Sequence, residues 1–504
     1  MSTKPSHAAP RGLSRRVWSL LVSLVFVAGA LLLGTARWIA AHFGIITIDQ
    51  VVINLRGAGG EGAGGTALVV GGIVAAVIVP IALAILVLLA IRRTQRSDWK
   101  RALPRLARVG VTTAIVGVLV AVPVAGARAI STTLSLPQYV ESLRSDQRLE
   151  DFYTAPAVIG SPEGTPRNLV MIYMESVEDS LADTSIFEKD MLAPVTDVTE
   201  GWESVRMTQP ANGGWTLGGI VNTQCGFPLR MADTSLVGNA INVAGKDVED
   251  YLPGATCLGD VLAGAGYRSV FMGGANTSFA GKDAFLASHG YETVLGRADW
   301  QARGETEFRD DWGLSDRRLM ELAADKVTEL HDAGQPFNLT VLTLDTHPDD
   351  YLHPYCDVST QQELTSIYDC SMQQVAGFVQ HMKERGYLDD TVVIVMGDHL
   401  RIAGANNTFL DQLEAIPDRT IFNRIWSPDG VAFEVDEIDQ FSMYPTILET
   451  LGYELADGRA GIGVSALNGN PSPGTIRGLP GGVVDSLVLS QSQEFYDRVW
   501  GVEP

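Results

Sequence analysis

Three long uncharged segments dominate the hydropathy pattern of the first quarter of the chain. They run from Val17 to Ala36, from Thr66 to Ile91 and from Val109 to Ala127, and they are 20, 26 and 19 residues long. A helix needs about 20 apolar residues to cross the hydrocarbon core of a bilayer. The pattern therefore predicts three membrane-spanning helices. The alternative is a cleaved signal peptide followed by buried helices, but the apolar region of a signal peptide is shorter than the first segment.

After about Pro156 the pattern changes to short apolar runs separated by amphipathic segments such as Arg318 to His331, where apolar residues recur at helical spacing. Four runs have the length and composition of buried parallel strands: Asn168–Met174, Ser269–Met272, Leu339–Leu344 and Thr391–Met396. Alternation of such strands with helices predicts an α/β fold in which helices connect the strands of a sheet. In such sheets, ligands bind beyond the carboxyl ends of the strands.

Basic residues around the uncharged segments predict how the chain is oriented. Three precede the first segment and seven lie between the second and the third: Arg11, Arg15 and Arg16, then Arg92, Arg93, Arg96, Lys100, Arg101, Arg105 and Arg108. Basic flanks stay in the cytoplasm, so three crossings place everything after about Arg128 outside. The loop from Ala41 to Gly65 is then also outside, and its glycine-rich run, residues 57–65, predicts a flexible linker.

The pattern divides the chain into a cytoplasmic N-terminus (residues 1–16), a transmembrane anchor (17–128), a linker (129–160) and an outer domain (161–504). Charge follows the same division, since the 504 residues carry a formal net charge of −22, with +11 in residues 1–128 and −33 in the remainder. So acidic an outer part argues against a nucleic-acid partner, whose binding depends on neutralising phosphates. Hydrophobic residues make up 46% and charged residues 19% of the chain, which excludes general disorder.

All four cysteines lie in the predicted outer domain: Cys225, Cys257, Cys356 and Cys370. An even number in an oxidising compartment predicts two disulfides. Order and loop length favour Cys225–Cys257 and Cys356–Cys370, while two other connectivities remain open. A metal cluster is the alternative, and the absence of a C-x-x-C spacing speaks against it.

Carboxylate or imidazole side chains follow three of the four predicted strands. Glu175 follows the first strand, Asp345 and His347 the third, and Asp398 and His399 the fourth. Taken singly, Glu175 fits a helix cap, Asp398 fits a turn residue and His347 fits a loop histidine. Together, at the sheet edge where α/β proteins build sites, they indicate a metal site. Two carboxylates and an imidazole suit Mn²⁺, Zn²⁺ or Mg²⁺, and the nitrogen ligand favours Mn²⁺ or Zn²⁺.

Thr216 is the candidate nucleophile. It lies between two glycine pairs in Asn212-Gly-Gly-Trp-Thr-Leu-Gly-Gly219, just before a predicted helix from Leu217 to Gln224. Glycines let backbone approach a ligand closely, and a helix N-terminus attracts anions. A hydroxyl bound there to a divalent cation ionises more easily and can attack phosphorus. Locally an ordinary helix cap is the better explanation, because threonine is a common N-cap, and only the surrounding pattern favours catalysis.

These residues belong to motifs that occur in a fixed order: Asn168-Leu-Val-Met-Ile-Tyr-Met-Glu-Ser176, the Gly-Gly-Trp-Thr-Leu-Gly-Gly segment with Gln224-Cys-Gly-Phe-Pro-Leu229, Leu344-Asp-Thr-His-Pro348 and Gly397-Asp-His-Leu400. Over roughly Asn168 to Gly452 the chain resembles the phosphoglycerol transferases of the alkaline phosphatase/sulfatase superfamily, which include lipoteichoic acid synthases. It resembles most the branch that modifies membrane-derived, osmoregulated periplasmic glucans. Four further segments fit that branch: Phe279-Ala-Gly-Lys282, Asp311-Trp-Gly-Leu314, Tyr368-Asp-Cys370 and Asn406-Asn-Thr408.

The resemblance implies a sulfatase-like sheet with flanking helices and a set of site residues. The implied metal ligands are Glu175, Thr216, Asp398 and His399, with Mn²⁺ the usual metal and Mg²⁺ or Zn²⁺ as alternatives. Thr216 is also the implied nucleophile.

Three further positions correspond to the family's substrate-facing residues. His347 matches the histidine that faces the transferred group and is a candidate acid or base. Lys282 and Trp312 fall where the family binds the phosphoglycerol headgroup, although teichoic-acid synthases place a Trp/Arg pair there.

The resemblance also implies an activity. This is transfer of sn-glycerol-1-phosphate from phosphatidylglycerol to a cell-envelope glycan through a phosphothreonine-type intermediate. The implied partners are the donor lipid, an envelope polysaccharide and the membrane, with the catalytic domain outside a multi-pass anchor in the plasma (inner) membrane.

Three alternatives remain open at this point: a phosphoethanolamine transferase, a sulfatase-like phosphodiesterase that passes the group to water, and a non-catalytic envelope scaffold. A true sulfatase needs a modifiable Cys or Ser in a C/S-x-P-x-R context, and in Cys225-Gly-Phe-Pro-Leu-Arg230 the proline is one place late.

Overall fold

A computed structural model of the chain describes residues 15–44, 46, 70–94, 104–142, 147–162, 164–230, 250–309, 312–348, 350–402, 408–490 and 492–501. The glycine-rich run of residues 57–65 and several motif or flanking residues lie outside these ranges: Arg11, Arg96, Lys100, Arg101, Asp311, Asn406 and Asn407. The chain forms two compact units. One comprises Met1–Ile45 and Ala67–Leu134, and the other comprises Ile46–Thr66 and Ser135–Pro504.

The first unit contains three long helices, α1 (Arg15–Phe43), α2 (Val79–Thr94) and α3 (Arg105–Thr133). In the described part of the chain, three segments are long and apolar enough to cross a membrane: Leu20–Phe43, Val70–Arg93 and Leu106–Thr133. Each overlaps one of the uncharged segments of the sequence.

Pro80 explains an irregular turn before α2. A proline has no backbone N–H to continue the helical ladder. Residues Val74–Ile78 form a π-helical turn, closed by the backbone N–H of Val79 donating to the Val74 carbonyl. The wider turn accommodates the break without ending the helical path.

Helices α1 and α3 pack at a point where both lack a side chain. A Cβ atom on Gly126 would lie 2.2 Å from the Gly29 carbonyl oxygen, and one on Gly29 would lie 2.4 Å from the Pro123 Cα. The two backbones therefore meet only because these positions are glycine, which is how closely packed membrane helices often associate.

The second unit is an α/β domain. Its helices are α4 (Leu136–Ser142), α5 (Ala193–Val198), α6 (Thr216–Cys225), α7 (Leu258–Gly264), α8 (Lys282–Ser288), α9 (Arg297–Ala302), α10 (Asp316–Asp332), α11 (Glu363–Glu384), α12 (Leu410–Glu414), α13 (Gln440–Thr450), α14 (Gly481–Val488) and α15 (Gln493–Val499). Its strands are β1 (Val158–Gly160), β2 (Asn168–Met174), β3 (Arg206–Thr208), β4 (Arg268–Gly273), β5 (Tyr291–Leu295), β6 (Phe337–Leu342), β7 (Thr391–Gly397), β8 (Asn423–Trp426), β9 (Glu437–Asp439), β10 (Glu454–Leu455), β11 (Arg459–Ala460) and β12 (Gly463–Val464).

The main sheet has the strand order β5-β4-β6-β2-β7-β8, parallel except for β8. Every residue of β2, β6 and β7 is buried, because helices cover both faces. Alternate side chains of β2 enter two separate hydrophobic layers, with Met171 and Tyr173 on one face and Val170 and Ile172 on the other. The predicted α/β fold with flanking helices is confirmed.

The segment assigned by sequence to a linker, residues 129–160, differs from a simple linker. Helix α3 continues to Thr133, and Leu149 is fully buried in the core of the second unit. Strand β1 then pairs antiparallel with β10. Strand β1 is short and exposed, and the strand that it pairs with lies about 300 residues later, so the sequence gives only a weak signal for it.

Two disulfides join the cysteines, Cys225–Cys257 and Cys356–Cys370. This is the pairing that order and loop length favour. Because Cys225 is bonded, the sulfatase alternative that required a modifiable cysteine at this position is excluded.

We expect Gly126→Val to destabilise the three-helix unit, because the added atoms collide with the backbone of α1. Overpacking of this kind costs about 1–3 kcal/mol. The measurement is the melting temperature of the detergent-solubilised chain. Gly117→Val is the matched control on the same helix, since a Cβ there meets nothing within 4 Å in the described structure. Equal melting temperatures for the two variants would contradict the proposed packing.

Candidate active site

The register of two neighbouring strands brings the first candidate ligands together. β2 and β7 are parallel, with Met174 opposite Gly397. Glu175 and Asp398 are the next residues, so both carboxylates emerge at the same edge of the sheet. Their side chains are 4% and 0% exposed, and that of His399 is 3% exposed.

Glu175, Asp398 and His399 form a compact group of potential ligand atoms. One ligand atom from each lies within 4.8 Å of the others. His399 Nε2 is 3.5 Å from Glu175 Oε1 and 3.5 Å from Asp398 Oδ2, while His399 Nδ1 lies 2.8 Å from the Leu400 carbonyl oxygen. A proton on Nδ1 donated to that carbonyl leaves the Nε2 lone pair for a cation.

The donor set fits a divalent cation. Asp398 Oδ2 is buried without a hydrogen-bond partner in the described structure, and a buried carboxylate oxygen without a partner is costly unless a cation or a proton compensates it. Two carboxylates and an imidazole are suitable ligands for Mn²⁺ or Zn²⁺. A second group of potential ligands, Cys257, Asp260 and His289, does not fit, because Cys257 is in a disulfide.

The two carboxylates have opposite pKa shifts. Burial and the neighbouring charge of Glu175 raise the pKa of Asp398 to about 7. Burial by itself also raises the pKa of Glu175, but His399 and His347 outweigh it and lower this pKa to about 2. Without a cation, the cluster therefore binds a proton more readily than an isolated carboxylate does.

Thr216 is the first residue of α6, and its hydroxyl points at the acidic group. The N-cap residue is Trp215, whose side chain makes no capping hydrogen bond. Thr216 Oγ1 instead donates to Glu175 Oε2 at 3.2 Å. The ordinary explanation of Thr216 as a helix cap is therefore wrong. Its hydroxyl lies at a helix N-terminus, where the backbone dipole favours negative charge.

Glycine allows α6 to approach the ligands this closely. A Cβ on Gly219 would lie 2.1 Å from the Asp398 carbonyl oxygen, and one on Gly213 would lie 2.1 Å from Gln440 Oε1. At Gly219 the obstacle is backbone, so any side chain there would push the helix away, whereas at Gly213 it is the end of a flexible side chain. Gly219 is thus a requirement of close packing.

His347 lies in a partly buried position after β6, beside an aromatic wall. Its ring centroid is 3.9 Å from that of Trp312, which in turn meets Phe279 edge-on at 6.0 Å. Burial lowers the pKa of His347 below the ordinary histidine value, although the charge of Glu175 opposes this shift. Arg309 Nη1 donates to the carbonyls of Asp345 and His347 and fixes this turn.

Lys282 begins α8 and is only 4% exposed. Burial lowers its pKa, and the charges of Glu175 and Asp398 oppose that shift. Within the described residues, its ammonium group makes no hydrogen bond or ion pair. It is therefore a buried positive charge near the acidic group and available to an anion.

Asp345 differs from the other strand-end residues. Its carboxylate accepts hydrogen bonds from His353 Nε2 at 3.0 Å and from the Tyr355 hydroxyl at 3.1 Å. It also accepts from the backbone N–H of Asp316 at 3.0 Å. Asp345 therefore stabilises the loop that carries His347 and does not join the ligand group.

Two residues of the site were not assigned a role from sequence. The Ser176 hydroxyl donates to Glu175 Oε1, and its backbone N–H donates to Asp398 Oδ1. Gln440, fully buried at the start of α13, donates through Nε2 to the Asp398 carbonyl at 2.9 Å. Adjacency to Glu175 was a signal for Ser176, whereas the contact of Gln440 joins positions 42 residues apart.

The sequence of the chain is similar to a family model and to curated proteins. The Sulfatase family model matches residues 229–453. Phosphoglycerol transferase I of Escherichia coli O6:K15:H31 is 32% identical over 353 residues, which cover 66% of this chain and 43% of that protein. The same values hold for phosphoglycerol transferase I of Shigella boydii serotype 18. The chain thus spans less than half the length of these curated relatives.

Among solved structures, the lipoteichoic acid synthase LtaP from Listeria monocytogenes is 17% identical, with a TM-score of 0.49, covering 64% of this chain and 81% of that one. Residues 229–453 therefore match the Sulfatase family model, and the predicted resemblance to the phosphoglycerol transferases is confirmed.

Proposed function

We propose that the protein is a metal-dependent transferase that moves sn-glycerol-1-phosphate from phosphatidylglycerol to a hydroxyl of a cell-envelope glycan. The observation that carries this proposal is the Thr216 hydroxyl at the start of α6, 3.2 Å from Glu175 and beside the group formed with Asp398 and His399. The similarity to phosphoglycerol transferase I supports the choice of transferred group.

Glu175, Thr216, Asp398 and His399 are the residues that would hold the cation, which we propose to be Mn²⁺, with Mg²⁺ or Zn²⁺ as alternatives. When bound, such a cation favours ionisation of a hydroxyl and neutralises charge on a phosphate.

The chain's own residues then perform a double displacement. Thr216 Oγ1 attacks the phosphorus while its proton passes to Glu175 Oε2, its hydrogen-bond acceptor; the bond to the diacylglycerol oxygen breaks, and protonated His347 gives that oxygen a proton. A glycerophosphothreonine and neutral His347 remain. The lowered pKa of His347 favours this neutral form, which takes the proton from the acceptor hydroxyl as that oxygen attacks the phosphorus. The bond to Thr216 Oγ1 then breaks, and Thr216 recovers its proton from Glu175.

Positive charge around the phosphate supports both steps. Lys282 supplies a buried ammonium group and α6 supplies backbone N–H groups at its N-terminus. Positioning and charge stabilisation provide most of the acceleration in phosphoryl transfer. We assign Trp312 to the wall that contacts the glycerol, since its ring lies against that of His347 with the two centroids 3.9 Å apart.

We further propose that residues 17–128 anchor the chain in the plasma (inner) membrane by three crossings, with residues 161–504 outside. Three apolar helices of sufficient length support this assignment. Two disulfides in the second unit agree with an oxidising compartment.

We expect Thr216→Ala to reduce diacylglycerol release from fluorescent phosphatidylglycerol by on the order of 10³-fold or more, because the nucleophile is removed. The assay uses the full chain in detergent with Mn²⁺. Intact-mass spectrometry should show a glycerophosphate adduct on the unmodified protein and none on the variant. Thr196→Ala is the control, since that hydroxyl bonds only to backbone near its own helix.

Other outcomes of this assay select other functions. Release from phosphatidylethanolamine alone would assign the chain to the phosphoethanolamine transferases. Free glycerophosphate formed in the presence of a glycan acceptor would indicate a phosphodiesterase. Undiminished turnover by Thr216→Ala would overturn the proposed nucleophile.

We expect Mn²⁺ affinity to rise with pH through about 7 and to level off at higher pH. The pKa of Asp398 is raised to about 7 and the pKa of His399 is raised above its ordinary value, so protons must leave these residues before the cation binds at lower pH. Calorimetric titrations in buffers of different ionisation enthalpy measure both the affinity and the protons released. Proton release that stays constant from pH 5.5 to pH 8 would contradict this assignment.

A further inference from the structure

Ser176 adopts a backbone conformation that is uncommon for serine. Its φ is +57°, in the left-handed region that favours glycine. Residues with a Cβ atom keep this backbone conformation only when surrounding contacts compensate the backbone strain. Ser176 is 1% exposed, and its carbonyl accepts a hydrogen bond from the Tyr368 hydroxyl at 2.8 Å.

This conformation lets one residue contact both acidic ligands. The Ser176 hydroxyl donates to Glu175 Oε1 at 2.7 Å, and the Ser176 backbone N–H donates to Asp398 Oδ1 at 2.8 Å. Each carboxylate therefore has one oxygen bonded to Ser176. The remaining oxygens are Glu175 Oε2, which accepts from Thr216, and Asp398 Oδ2, which accepts no hydrogen bond within the described residues.

Hydrogen bonds of this kind determine which oxygen is available to a cation. A ligand carboxylate is usually fixed by a neighbouring donor, and loss of that donor weakens metal binding by about 10-fold to 100-fold. The donors also reduce the repulsion between two buried carboxylates, because a donor near each oxygen stabilises its negative charge.

We infer that Ser176 is a positioning residue that holds Glu175 and Asp398 so that each presents a single oxygen to the cation. The inference rests on the proposed metal-dependent function. The inference gives the Ser176 hydroxyl, and not only the turn, a role in cation binding.

Ser176→Gly separates the role of the hydroxyl in cation binding from the role of the residue in the turn. Glycine keeps the backbone N–H to Asp398 and adopts a φ of +57° without strain, so a purely structural turn should be as stable or more stable. We expect the variant to keep or raise the melting temperature of the metal-free chain, but to weaken Mn²⁺ binding by about 10-fold to 100-fold. Mn²⁺ affinity is obtained from the concentration of free Mn²⁺, measured by electron paramagnetic resonance.

Ser180→Ala is the matched control. The Ser180 hydroxyl donates to Glu178, a fully buried carboxylate near the ligand group but outside it. Its loss should leave Mn²⁺ affinity unchanged. Ser176→Ala, which loses the hydroxyl but keeps the Cβ, should match Ser176→Gly in Mn²⁺ affinity.

The outcomes distinguish this inference from the proposed function. Unmodified protein that binds none of Mn²⁺, Mg²⁺ and Zn²⁺ would overturn the metal-dependent function itself. Unmodified protein that binds Mn²⁺, together with a Ser176→Gly variant that binds it equally tightly, would overturn only the role of Ser176.

Discussion

The site depends on the parallel register of β2 and β7. That register places Glu175 and Asp398 side by side where almost no solvent reaches them. Two carboxylates in such a place repel each other, and the raised pKa of Asp398 expresses that repulsion together with burial. The fold thus holds two adjacent buried carboxylates whose combined negative charge favours binding of a proton or a cation.

A second constraint is steric and concerns the helix that carries Thr216. Its glycine face lies against the Asp398 backbone, with Gly219 as the point of closest approach. Gln440, at the start of α13, donates a hydrogen bond to the same carbonyl and also holds it in place. The distance between Thr216 and the carboxylates is therefore set by backbone packing, which is stiffer than contacts between flexible side chains.

Much of the fold was predictable because buried parallel strands are continuous apolar runs. The strand ends then identified Glu175, Asp398 and His399, since a parallel sheet collects its carboxyl ends at one edge. Asp345 was indistinguishable by position, and only its contacts with His353 and Tyr355 separate it from the ligands.

Residues whose role depends on distant partners could not be read from sequence. Strand β1 needs β10, about 300 residues later, to form a ladder. Gln440 contacts the site only through the packing of α13. For Ser176, the informative property is its backbone angle, and no residue pattern in the chain reports that angle.

The disulfide at the far end of α6 has a consequence for where this chemistry takes place. Thr216 is the first residue of that helix and Cys225, bonded to Cys257, is the last. Such a bond persists only where the thiol pool is oxidised. In a compartment that keeps thiols reduced, α6 therefore loses the covalent link between its last residue and Cys257.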